Sequence, residues 1–214
     1  MAVTAAVFDL DGTLVLTEER NRVVWKRFFN GYGIEVDAAL TAQLTGRRGL
    51  DSLSELSHLF PDRYPQELLD EVLAFEVSDD LPEIVVVPGA NQLVRRLQSA
   101  RVPLALVTSA LPAHLAARLL AADLLDVFDV VVTGEDVTVG KPDPQGFLMA
   151  CEQLGVPPQR SVGFEDSPAG VAAVKAAGMR CVAVTTTFSR DVLADADLVV
   201  DDLTDVPWPI DEVA

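Results

Sequence analysis

VTAAVFDLDGT, residues 3–13, is an apolar run that ends abruptly in two aspartates and a glycine. A short stretch of Ala, Val and Phe bounded by a turn signal reads as a strand buried on both faces, the kind found inside parallel sheets. The acids then stand at its carboxyl end, where the loops of open α/β sheets form ligand crevices. Asp9 and Asp11 are two residues apart, so in extended chain their side chains leave on one side and Leu10 on the other. Two like charges in one small volume require a compensating cation or a shared proton. Gly12 permits a tight turn, and Thr13 is expected to add a hydroxyl beside the acids. A lone pair of this kind also fits a helix cap, so the rest of the chain has to decide its meaning.

Further along, strands and helices alternate. Helices are predicted over 90–99, 112–122, 144–154 and 168–177, and strands over 103–107, 127–132, 161–164, 180–184 and 198–200. Such alternation implies a parallel sheet with right-handed crossovers, to which the opening strand belongs. Between these parts the sequence is helical, with segments at 18–30, 37–45, 50–60 and 65–78 and no convincing strand. The expected fold class is α/β: a doubly wound, Rossmann-like parallel sheet built from residues 1–16 and 86–214, with a small all-helical domain inserted at 17–85. Hinges are expected near Thr17 and within Asp79 to Pro88, where little apolar periodicity ties the chain down.

Composition narrows the function. Half of the 214 residues are hydrophobic, 33 acids face 16 Lys and Arg, and the net charge is -17. With no basic stripe, a nucleic-acid partner is excluded from the reading, because phosphate-backbone binding needs clustered cations. An anionic substrate needs local cations or a metal to overcome the far field, and lysine occurs only at 26, 141 and 175. Cys151 and Cys181 have neither metal-ligand spacing nor a disulfide framework and read as buried thiols. No apolar run reaches the roughly 18 residues of a membrane span, and the amino terminus has no basic leader. A cytoplasmic protein with no membrane partner is expected, and a monomer suffices for the reading.

The predicted strand ends then converge. Residues 104–107 run into Thr108 and Ser109, 130–132 lead to the loop carrying Lys141 and Pro142, and 162–164 run into Glu165, Asp166 and Ser167. In a parallel sheet all of these share the edge that holds Asp9 and Asp11. Carboxylates, hydroxyls and a lysine gathered this way fit phosphoryl transfer through a phospho-aspartate with bound Mg2+. A carboxylate nucleophile splits one difficult displacement into two easier ones, and magnesium favours oxygen ligands in an octahedron. A hydroxyl and a lysine stabilise charge on the phosphate oxygens. Asp11 is left for acid and base work on the leaving alkoxide and the attacking water.

At this point the chain resembles the haloacid dehalogenase-like hydrolase superfamily. Asp9 to Thr13, the Thr108 strand end, Lys141 with Pro142, and Glu165 with Asp166 look like its four motifs, and the resemblance covers essentially the whole chain. The helical insertion looks like the small cap of β-phosphoglucomutase and the related sugar and polyol phosphatases. The resemblance implies Asp9 as nucleophile, Asp11 as acid and base, and Thr108 (or Ser109) and Lys141 as phosphate binders. It further implies a metal shell of Asp9, the Asp11 carbonyl and Asp166, with Glu165 behind it or an indirect ligand. One departure is Leu16, where many members carry an acid.

Three functions compete. A phosphatase acting on a small phosphorylated sugar or polyol is favoured by Thr13 and by the resemblance of 185–188 to such relatives. A phosphomutase using the same aspartate is the alternative. A non-enzymatic phospho-acceptor module is disfavoured, since it has no use for Asp11 or for an insertion able to cover a substrate. Substrate contacts are expected from Arg47, Arg48 and Asn21, and the family resemblance implies Arg47 ahead of Arg48; the flanking Gly46 and Gly49 permit close approach to a ligand. His58 and His114 read as surface or packing histidines, and Trp25 and Phe28 as cap core.

Overall fold

The computed structural model describes residues 3–204 and 206–210. β1 (Ala5–Phe8) is completely buried and lies in the middle of a six-stranded sheet. Its partners are β4 (Leu104–Val107), β5 (Val130–Val132), β6 (Ser161–Glu165), β7 (Arg180–Val184) and β8 (Leu198–Val200), in the order β5-β4-β1-β6-β7-β8, every pairing parallel. Because side chains alternate across a strand, Ala6 and Phe8 face one layer and Val7 the other. Ala6 and Phe8 join Leu106, Phe164 and Val182 against α5 (Ala90–Ser99), and the rings of Phe8 and Phe164 stack with centroids 4.3 Å apart. Val7 joins Ala105, Cys181 and Ala183 against α7 (Gln145–Leu154) and α8 (Pro168–Ala176). Covered on both faces, β1 has no solvent side to show, hence its uninterrupted apolar sequence.

A third hydrophobic cluster draws its buried members only from residues 24–81. It packs α1 (Glu18–Gly31), α2 (Ala38–Leu44), α3 (Gly49–Glu55) and α4 (Pro65–Glu76) around Phe28, Phe29, Leu53, Phe60 and Leu68. The predicted helix over 50–60 is two pieces, because α3 stops at Glu55 and a 3-10 turn covers Ser57–Leu59. The predicted strand over 127–132 is shorter: Asp129 turns its carboxylate to the N–H of Leu104 (2.9 Å), and pairing starts at Val130.

Both connections between the two parts were expected to be loosely tied, and here the structure differs. Val15–Leu16 (β2) pairs antiparallel with Val85–Val86 (β3), so the linkers form a ribbon of their own. Two-residue strands are too short to display period-two alternation, which is why no strand was predicted there. Leu16, the departure from the family pattern, is a ribbon residue half-buried against the core. α6 (Pro112–Ala121) follows β4 and faces the insertion. Among the described residues, no helix is long and apolar enough to cross a membrane.

Candidate active site at the carboxyl edge of the sheet

The end of β1 is fixed from β6, as the Asp9 N–H donates to the Phe164 carbonyl at 2.9 Å. Lys141 arrives from the loop after β5 and donates to Asp9 Oδ1 and Glu165 Oε1, both at 2.5 Å, with the Val107 carbonyl at 3.3 Å. All four side chains of this cluster, Asp9, Lys141, Glu165 and Asp166, are buried. Burial alone would push Lys141 down, but the charges of Asp9 and Glu165 raise its affinity for the proton above the usual lysine range. Asp9 is pushed up to about 7, first by burial and then by Glu165 and Asp11, against the pull of Lys141. Asp166 is held well above the carboxylate range by burial and by the charges of Glu165 and Asp9. Both partners of the Lys141–Asp9 pair thus bind protons more tightly: at Asp9 burial dominates, and at Lys141 the two facing carboxylates outweigh it.

Asp9, Glu165 and Asp166 each offer an oxygen within 4.8 Å of the others, which suits a small oxygen-seeking dication. Glu165 has little left to give. Its Oε1 takes Lys141 and its Oε2 accepts the N–H groups of Asp166 (3.0 Å) and Ser167 (3.3 Å) and the Ser167 hydroxyl (3.1 Å). Glu165 is therefore the support behind the cluster, and Asp9 and Asp166 are the carboxylates with oxygens left to offer a cation. Gly12 makes room for this: its φ is +87°, and a Cβ there would lie 1.8 Å from Asp166 Oδ2. The Thr13 hydroxyl, expected beside the acids, is buried and makes no hydrogen bond among the described residues.

The carboxylate of Asp11 turns elsewhere. Its Oδ1 accepts from the Thr17 hydroxyl and its Oδ2 from Arg118 Nη1, both at 2.6 Å, leaving only its carbonyl for a shared cation. Asp9 and Asp11 lie on the floor of a cavity of about 370 Å³ between the sheet edge and the insertion. Glu18, Asn21, Trp25 and Arg47 line it from the insertion; Ser109, His114 and Arg118 line it from the core. Thr108, buried at the end of β4, accepts the Ala110 N–H at 3.0 Å. Phe28 is cap core as expected, whereas Trp25 packs on it and also faces the cavity.

The two arginines divide sharply. Arg48 has five N–H donors and all are used: two on Asp51 (3.1 and 2.5 Å) and three on the carbonyls of Gly134, Val137 and Thr138 (3.1, 2.6 and 3.0 Å). Arg48, expected to contact substrate, does line the cavity, but its donors are committed to clamping the insertion to the core loop leading to Lys141. Asp51 completes the clamp by accepting the Gly140 N–H at 3.0 Å. Arg47 forks onto Glu55 (2.8 and 2.5 Å), but its buried Nε has no partner among the described residues. Gly46 lines the cavity and also packs on Ser167 of the core; a Cβ there would meet Ser167 Oγ at 2.5 Å.

With this geometry in place, comparison with known proteins is decisive. The signature of the haloacid dehalogenase-like hydrolases matches residues 3–178. The chain belongs to that family. This hydrolase is 41% identical over 204 residues to validoxylamine A 7'-phosphate phosphatase of Streptomyces hygroscopicus subsp. limoneus, covering 95% of this chain and 96% of that protein. It is 32% identical to hexitol phosphatase A of Escherichia coli over 94% and 91% of the two chains. The crystal structure of β-phosphoglucomutase from Clostridium difficile superimposes with a TM-score of 0.83 at 26% identity, covering 96% of this chain and 94% of that one.

Several residues of the hydrolase's site escaped the sequence reading. Arg118 and His114 sit four apart on α6 and are its only charged or titratable side chains, so they share one helical face. That spacing was the available signal, yet His114 read as a surface or packing residue. It lies 2.9 Å from Glu76, the last residue of α4. Thr186, in the segment after β7, donates its hydroxyl to the Gly12 carbonyl at 2.5 Å, and the buried Thr187 hydroxyl stands beside Asp166.

Proposed function

We propose that this hydrolase is a phosphatase that removes phosphate from a small phosphorylated sugar or polyol through an aspartyl-phosphate on Asp9. The observation that carries the reading is Asp9 itself, a buried carboxylate held by Lys141 at the floor of a covered cavity. The Asp9 oxygen attacks phosphorus as the ester P–O bond breaks, and the leaving oxygen takes a proton from Asp11. Water then attacks the phosphoryl group, Asp11 receives its proton, and the Asp9–phosphorus bond breaks. Lys141 and the Thr108–Ser109 strand end neutralise and orient the phosphate oxygens. Mg2+ held by Asp9, Asp166 and the Asp11 carbonyl, with Glu165 supporting from behind, would supply charge neutralisation at the phosphoryl group. Residues 17–85 act as a cap that excludes bulk water. Arg47, with free donors, and Asn21 are its substrate contacts. The two buried free cysteines agree with a reducing, cytoplasmic setting.

A phosphomutase remains the second reading because of the likeness to β-phosphoglucomutase. A mutase must also hold a second phosphate while the first is transferred; with every Arg48 donor committed to the clamp, Arg47 and Arg22 are the cap arginines at the cavity for that work. Phosphate release from a panel of sugar and polyol phosphates with Mg2+ tests the proposal. Steady release from at least one of them is expected. Isomerisation of a sugar phosphate without net phosphate release would establish the mutase instead.

A further inference from the structure

Arg118 is an arginine with 5% of its surface exposed, placed on a core helix yet touching two acids that belong to different parts of the molecule. Nη1 meets Asp11 Oδ2 at 2.6 Å, and Nη2 approaches Glu76 Oε2 at 3.4 Å, across to the end of α4 in the insertion. Glu76 also faces His114 Nδ1 at 2.9 Å, and Arg20 donates to its carbonyl at 3.0 Å. The other oxygen of Asp11 is held by Thr17, the residue just before α1. A carboxylate on a short side chain has two torsions to fix, and donors from two separate elements fix both. A guanidinium is a rigid plane, so displacing one of its nitrogens displaces the other. Whether Glu76 is seated on α6 therefore bears directly on how Asp11 is aimed.

We propose that Arg118 is the positioning residue of Asp11 and couples its aim to the seating of the cap through Glu76. The inference rests on the phosphatase reading, in which Asp11 gives a proton to the departing alkoxide as the ester bond breaks. Arg118 holds the acid and does not itself touch the reacting atoms. An alkyl alcohol leaves poorly without that proton, whereas 4-nitrophenolate leaves without one. Because kcat/KM covers only the steps through alcohol release, comparing the two leaving groups isolates the acid step from the later attack of water.

The experiment measures kcat/KM for the sugar or polyol phosphate that the wild-type enzyme turns over fastest and for p-nitrophenyl phosphate. The variants are Arg118→Met, Arg118→Lys and Glu76→Gln, with Asp11→Asn as control. Arg118→Met should lose about 10²-fold on the alkyl substrate, the scale of a general acid, mainly in kcat. Its loss on the aryl substrate should stay within about threefold. Arg118→Lys should recover part of the loss, and Glu76→Gln should show the same bias at smaller size. Equal losses on both substrates, no loss, or a rise in KM with kcat intact overturns the role. If Arg118→Met does not fold, an unchanged alkyl-to-aryl ratio in both Arg118→Lys and Glu76→Gln overturns it. Should Asp11→Asn show no alkyl bias, the acid reading of Asp11 fails instead.

Discussion

In the proposed mechanism Asp9 is the residue on which the chemistry turns, and its environment makes a sharp prediction. A carboxylate pushed up to about 7 by burial and neighbouring acids is held at a cost when ionised. Asp9→Asn removes that charge at nearly constant shape. Turnover should be abolished, because an amide is a poor nucleophile and a poor ligand for a hard cation. In the metal-free protein at neutral pH the melting temperature should not fall, and the increase on adding Mg2+ should shrink. Phosphate-release assays and calorimetry on purified Asp9→Asn check both parts; near wild-type release would remove Asp9 from the mechanism. Arg47 is the matching test on the cap. Arg47→Ala should raise KM for the best sugar or polyol phosphate while sparing p-nitrophenyl phosphate, which needs no cap contact.

At the scale of elements, the insertion is held to the sheet edge by a few directional contacts beside the β2–β3 ribbon. The Arg48–Asp51 clamp on 134–140 is the densest of these and adjoins Lys141. Breaking hydrogen bonds to a mostly buried charge costs roughly 1.5–3 kcal/mol each, so Arg48→Ala should loosen the cap and disturb the loop that presents Lys141. Unlike Arg47→Ala, it should impair alkyl and aryl substrates alike. Faster hydrogen exchange in 134–140, read by mass spectrometry, is the structural check. Exchange indistinguishable from wild type would show that the clamp does not hold this loop.

The whole molecule senses pH through the same acids. Asp9 is raised to about 7, Glu18 to about 6 by burial and then by Asp11, and Asp166 is raised as well. Each keeps its proton in the fold after the unfolded chain has released it, so the native state binds more protons between about pH 4 and 7. Stability of the metal-free protein should therefore fall as pH rises through that window. Groups with depressed values act oppositely but below it, as with Asp80, lowered to about 2 by Arg27 and Ser78. Mg2+ binds the ionised carboxylates, so its stabilising effect by mass action should grow from pH 5 to pH 8. Melting temperatures over that range, with chelator or with Mg2+, test the sign. A metal effect that shrinks with rising pH would contradict a shared carboxylate site.

The family-wide features were legible along the chain because they are local. The doubly covered β1 needs an unbroken apolar run, and the alternation of strand and helix after residue 90 admits few topologies besides a parallel sheet. Once that sheet is inferred, Asp9, Thr108, Lys141 and Asp166 fall on one edge by topology alone. Other assignments depend on where side chains point across long sequence separations. Nothing in 46–49 distinguishes the arginine whose five donors are spent from the one with a free Nε. The two-residue strands at 15–16 and 85–86 exist only because the linkers meet, as neither is long enough to carry a periodic signal. Arg118 looks like one helix residue among many until folding places Asp11 and Glu76, 107 and 42 residues away in sequence, against its two nitrogens. Residue type and period determined the scaffold and the chemistry at its edge; the orientation of the acid and the closure of the cap were decided by packing, which alone brings charges from distant segments within reach.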